Sequence, residues 1–152
     1  MSSVSELYQS VILDHNRTPR NYGRLEGDAR RARGYNPLCG DECTVWLKVE
    51  GDTLADVRFE GQGCAISKAS ASLMTMAVKG KPVVEVEALA ERFHSLVTGR
   101  LTEAEQQALP ARLQVFSNVA QFPVRVKCAS MPWHTLKAAL AGGDAPELVE
   151  LK

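Results

Sequence analysis

Four cysteines, at positions 39, 43, 64 and 128, restrict the fold of this chain more than any other feature. The spacing is not a zinc-finger pattern, because no short C-x-x-C pair occurs. If the thiols act together, two later segments must return to an earlier one. Those segments are Gly61-Gln62-Gly63-Cys64 and Arg125-Val126-Lys127-Cys128, and their target is Asn36-Pro37-Leu38-Cys39-Gly40-Asp41-Glu42-Cys43. A soft metal or a transferable sulfur atom needs thiolates converging from different segments, with a carboxylate to complete a tetrahedral shell. Three cysteines and Asp41 are enough for that.

The same thiols could form two disulfides, but a chain of 152 residues with 45% hydrophobic residues has a core of its own and needs no staples. Metal binding or thiol chemistry therefore ranks first. Eighteen basic residues balance eighteen acidic ones, which argues against a nucleic-acid footprint or membrane-surface attraction and favours a protein partner or small ligand. The first ten residues carry Glu6 and isolated apolar side chains rather than a secretory run, and no stretch approaches the roughly 18 apolar residues of a membrane span. A cytoplasmic protein is expected, forming one domain over residues 1–152.

Hydrophobic spacing predicts the elements. Leu7, Tyr8, Val11 and Ile12 recur at helical period after Ser5, a candidate N-cap, so residues 1–27 read as an N-terminal helix or arm followed by a turn-rich stretch. Arg30, Arg31 and Arg33 suit a solvated edge strand better than an anion site. Residues 43–49 and 54–60 flank Glu50-Gly51-Asp52 and predict a hairpin, with a third strand over 28–35. A helix is expected over 65–79, with Ser67 as a possible cap and Gly80 as its stop, which puts Cys64 just ahead of a helix N-terminus where a thiolate is favoured. Residues 80–120 read as a helical insert, and a last helix from Val124 to about Leu140 is expected to break or restart at Pro132. Residues 142–152 read as a loose tail.

Taken together, Asn36-Pro37-Leu38-Cys39-Gly40-Asp41, then Gly61-Gln62-Gly63-Cys64-Ala65-Ile66-Ser67 with Ala69 to Thr75, and Arg125-Val126-Lys127-Cys128 with Trp133 resemble the U-type iron–sulfur assembly proteins. The likeness is closer to the SufU branch than to the IscU branch. A long helical insert separates Cys64 from Cys128, and Lys127 stands where IscU-like scaffolds carry histidine. The resemblance implies a two-layer α+β fold, a three-stranded antiparallel sheet covered by helices. It also implies a Zn²⁺ held by Cys39, Asp41, Cys64 and Cys128, with Cys39 on a mobile loop as the sulfur acceptor. The implied partners are a SufS-like cysteine desulfurase, which keeps its own pyridoxal phosphate, and downstream apo iron–sulfur proteins or other assembly factors. The alternative is a scaffold that builds a [2Fe–2S] cluster on the same cysteines.

Chemistry beside the resemblance points the same way. An acceptor thiolate must be accessible yet protected while it waits, so one zinc ligand has to be able to leave, and the Pro37-to-Gly40 turn gives Cys39 that freedom. Three thiolates, a carboxylate and Zn²⁺ leave two negative charges, which Arg125 and Lys127 are placed to offset. A protonated Lys127 cannot ligate iron as histidine does, which tilts the expectation from scaffold toward sulfur relay. Cys43 reads as a small buried hydrophobe rather than a fifth ligand. His15, His94 and His134 read as surface or packing residues, Trp46 and Trp133 as core or near-site filling, and Met74 with Met76 as helix packing.

Overall fold

Alternation of apolar and polar side chains builds a three-stranded antiparallel sheet in the order β1-β2-β3, in a computed structural model that describes residues 3–142. Strand β1 (Arg30–Asn36) pairs with β2 (Asp41–Glu50), which pairs with β3 (Thr53–Gln62). The three arginines of β1 are exposed on this edge strand, as expected, while Ala32, Gly34 and Asn36 face inward. The free edge of β3 is covered by the chain itself: Phe59 N–H donates to the Asn21 carbonyl, and Gly23 N–H donates to the Phe59 carbonyl. That protects an edge that would otherwise offer unpaired backbone.

Helices cover the inner face. These are α1 (Ser3–Arg17), α2 (Ala65–Val78), α3 (Val83–Val97), the short α4 (Glu103–Gln107) and α5 (Ala111–Gln114), a 3-10 turn (Val115–Val119) and α6 (Pro123–Leu140). Helix α6 packs on β1, β2, α2 and α3 and is the central column. It meets β1 so closely at Gly34 that a Cβ there would overlap the Thr135 hydroxyl. On its other side Trp133 stacks on Phe93 of α3, with ring centroids 4.5 Å apart. None of the described helices is long and apolar enough to cross a membrane.

Several expectations are corrected. Helix α1 begins at Ser3, so Ser5 lies within it and is not its cap. Tyr8, Val11 and Ile12 face the core, but Leu7 is 52% exposed. Met74 is buried and Met76 exposed, because positions two apart on a helix face opposite ways. Helix α6 runs unbroken through Pro132. The proline removes one N–H, the one that would have bonded the Cys128 carbonyl, and burial of residues 128–133 on all sides holds the helix together across that gap. The tail expected over 142–152 lies, beyond Gly142, outside the described residues.

His15 is a packing residue, fully buried between α1 and α2. One neutral tautomer satisfies both neighbours, with Nδ1–H donating to Ser72 Oγ at 2.7 Å and Nε2 accepting from Arg112 at 3.5 Å. Burial, reinforced by the Arg20 cation, pushes its pKa down to about 4, against the opposing pull of Asp14. In the unfolded chain the imidazole titrates near 6.5. The unfolded state therefore binds the extra proton between those values, and stability is full above about pH 6.5 and lost as pH falls toward 4. Urea unfolding is expected to show a loss of about 2 to 3 kcal/mol between pH 7 and 4.5 from this group. His15→Gln should flatten that part of the profile; an unchanged slope would contradict the assignment.

Candidate metal centre

The turn between β1 and β2 presents the first thiol. Asn36 ends β1 and organises the turn, its Oδ1 accepting from Leu38 N–H at 3.2 Å and its carbonyl from Gly40 N–H at 2.8 Å. Pro37 to Gly40 are exposed, so Cys39 stands at the surface. Asp41 follows as the first residue of β2 and is fully buried.

The second thiol arrives at the end of β3. Cys64, not Ser67, is the N-cap of α2: its Sγ accepts from Ser67 N–H at 3.4 Å. Its backbone N–H donates to Asp41 Oδ1 at 2.8 Å, and its Sγ lies 3.8 Å from Asp41 Oδ2. Gly63 makes this approach possible. Its φ of 138° lies in the region that favours glycine, and a Cβ there would stand 2.8 Å from the Asp41 Cα and overlap the carboxylate. Gly63→Ala is expected to displace Asp41 from Cys64 and to cost more than about 2 kcal/mol in urea unfolding. Wild-type stability in that variant would contradict the geometry.

The third thiol comes from α6. Cys128 is 2% exposed, its Sγ lies 3.4 Å from Cys39 Sγ, and Asn36 Nδ2 approaches the same sulfur at 3.9 Å. The Cys128 and Cys64 thiols also interact. That contact, with the Ser67 N–H, draws the Cys64 pKa down to about 6 against the opposing effects of burial and Asp41. The same contact pushes the Cys128 thiol up, with burial and Cys39 adding to the shift.

All four sequence-predicted ligands are thus brought together from three separate segments. The donor atoms of Cys39, Asp41 and Cys128 lie within 4.8 Å of one another, and Cys64 adjoins both Asp41 and Cys128. Sulfurs about 2.3 Å from a tetrahedral zinc are separated by about 3.8 Å. The Cys39 and Cys128 sulfurs stand 3.4 Å apart, a few tenths inside that edge, so this pair with Asp41 is spaced for such an ion, while Cys64 lies outside the three donors that are all within 4.8 Å of one another.

Cys43 is not part of the cluster. It is 4% exposed among core residues, and burial pushes its pKa up to about 12, as a structural thiol requires. Arg125 is exposed and lies 4.5 Å over the Phe122 ring, while Lys127 is half-buried one residue before Cys128. Two residues near the cluster were named in the sequence reading without a role at it. Asn36 was legible, since an Asn-Pro step announces a side-chain-stabilised turn. Tyr8 was not: its buried hydroxyl has no hydrogen-bond partner, and burial raises its pKa, with the charges of Arg125, Cys64 and Cys128 all acting on it.

Residues 7–129 match the model of the NifU-like N terminal domain. The chain is 39% identical over 140 residues to an iron–sulfur cluster assembly scaffold protein IscU of Streptococcus pyogenes, covering 92% of this chain and 86% of that protein. It is 36% identical over 140 residues to the zinc-dependent sulfurtransferase SufU of Bacillus subtilis, covering 92% and 93%. Among solved structures, one described as a candidate iron–sulfur cluster assembly scaffold protein for the SUF system, from Fervidobacterium islandicum, superposes with a TM-score of 0.80 at 32% identity, covering 91% and 99% of the two chains.

Proposed function

The chain belongs to the NifU-like N-terminal domain family, and from that premise we propose that it is a zinc-containing sulfur acceptor for iron–sulfur cluster assembly, supplied by a cysteine desulfurase. One observation carries this reading: the thiols are unequal. Cys64 caps a helix and Cys128 is buried on another, whereas Cys39 is exposed on a turn 3.4 Å from Cys128. Cys39, Asp41, Cys64 and Cys128 would hold Zn²⁺, which keeps cysteines deprotonated and shielded from oxidation. Arg125 and Lys127 offset the negative charge of that set.

The transfer asks little more of the chain. A Cys39 thiolate attacks the outer, sulfane sulfur of a persulfide on the desulfurase. An S–S bond forms on Cys39, the partner's S–S bond breaks, and the partner's cysteine departs as thiolate. No oxidant is consumed. Cys64 and Cys128 stay in place because their helices are packed, and the turn carries Cys39 outward. The whole chain acts as one unit, with residues 80–120 as a helical insert, and its free cysteines suit a cytoplasmic setting.

Incubation with a SufS-like desulfurase and cysteine, followed by mass spectrometry, is expected to find the mass of one added sulfur on Cys39. No persulfide on any cysteine would sink the reading and leave a structural metal module. The scaffold alternative rests on the same thiolates and on the name carried by the Streptococcus relative. It predicts a coloured [2Fe–2S] product that passes to apo-proteins, where the relay predicts colourless protein with one zinc.

A further inference from the structure

The exposed thiol of the turn has a second thiol directly behind it. Cys128 Sγ lies 3.4 Å from Cys39 Sγ, within the roughly 3 to 3.5 Å that separates atoms poised to react. Proximity singles out this pair. Cys128 and Cys39 belong to a set of donors all within 4.8 Å of one another, whereas Cys64 lies outside that set and its sulfur caps α2 by accepting from Ser67 N–H. Cys43 is buried in the core. The two sulfurs also face different surroundings, because Cys39 is at the surface and Cys128 is 2% exposed. Sulfur handed over by a partner protein arrives from the solvent side of Cys39. Cys128 then stands on the buried side, across Cys39 Sγ from the bond to the added sulfur.

We propose that Cys128 is a resolving cysteine, which discharges a Cys39 persulfide as sulfide by closing a Cys39–Cys128 disulfide. The step rests on sulfur reaching Cys39 from the desulfurase. The Cys128 sulfur attacks Cys39 Sγ, an S–S bond forms between the two cysteines, and the bond from Cys39 Sγ to the sulfane sulfur breaks. That sulfur leaves with the bonding pair as hydrosulfide, and the proton that Cys128 gives up goes to it. The two cysteines together lose two electrons and the sulfane sulfur gains them, so no outside reductant is consumed. Closing from 3.4 Å to a bond of about 2.0 Å requires one partner to move. The exposed turn carries Cys39 inward, while α6, packed on the sheet and two helices, holds Cys128 still. Cys128 attacks only when no metal holds its sulfur, so the persulfide waits while an ion is bound.

Mass spectrometry of the charged chain tests this under anaerobic conditions. The zinc-loaded protein is incubated with a SufS-like desulfurase and cysteine, both are removed with no thiol added, and a strong chelator then frees the thiols. The expected result is loss of the added sulfur from Cys39, about one sulfide for each persulfide lost, and a peptide pair joined through Cys39 and Cys128. In Cys128→Ala the Cys39 persulfide should survive more than about tenfold longer after chelation. If that variant does not fold or is not charged, the linked peptides and the sulfide of the wild-type chain decide the question alone. A wild-type persulfide that persists after chelation, or sulfur that moves to Cys128 instead of leaving as sulfide, overturns the proposal. A chain that acquires no persulfide at all fails at the earlier stage and overturns the acceptor reading with it.

Discussion

Cys39→Ala is expected to reduce sulfur acceptance from the desulfurase to background while leaving the fold almost untouched. The two effects separate because Cys39 is exposed on a turn, with its sulfur 3.4 Å from that of Cys128, so its loss removes little buried area. Unfolding of the metal-free variant should differ from wild type by less than about 1 kcal/mol. Desulfurase turnover in its presence should fall to the rate of the desulfurase alone, and no persulfide should appear on Cys64 or Cys128. Full stimulation by Cys39→Ala would show that another thiol accepts the sulfur.

Stripping the metal should produce the largest change in stability. A ligand held a thousandfold above its dissociation constant adds about 4 kcal/mol to the folded state, and in a chain of this size each kcal/mol moves the melting temperature by about 2 to 4 °C. A strong chelator is therefore expected to lower the melting temperature by about 10 °C, and stoichiometric zinc to restore it. The apo protein should still fold, because the sheet and α6 are packed by a core that excludes the cluster. Cys128→Ala should behave as though always chelated, since it removes a buried thiol of the proposed ligand set. A chelator-insensitive melt in wild type, with zinc demonstrably removed, would deny the four residues a stabilising role.

Legibility in the sequence followed the range of the interactions. The hairpin, the edge strand and α2 were readable because alternation, a Glu-Gly-Asp turn and a glycine stop act within a few residues. The Ser67 cap was misassigned because cysteine is not an ordinary capping residue, yet the Cys64 sulfur accepts the N–H that a serine oxygen would have taken. The Pro132 break was misjudged for a different reason. Intrinsic helix preference counts the lost hydrogen bond but not the contacts of a helix buried against a sheet and two other helices.

By itself the sequence determined which atoms are available: soft thiolates, one carboxylate, glycines where backbone must come close, and a lysine in place of an imidazole. Those are properties of residue type and local order. Tertiary structure alone decided that α6 stays whole through Pro132. It also decided that His94 meets His134 across two helices. Both outcomes depend on strand register and helix packing, which are set by burial summed over the whole chain and leave no mark on the residues they bring together.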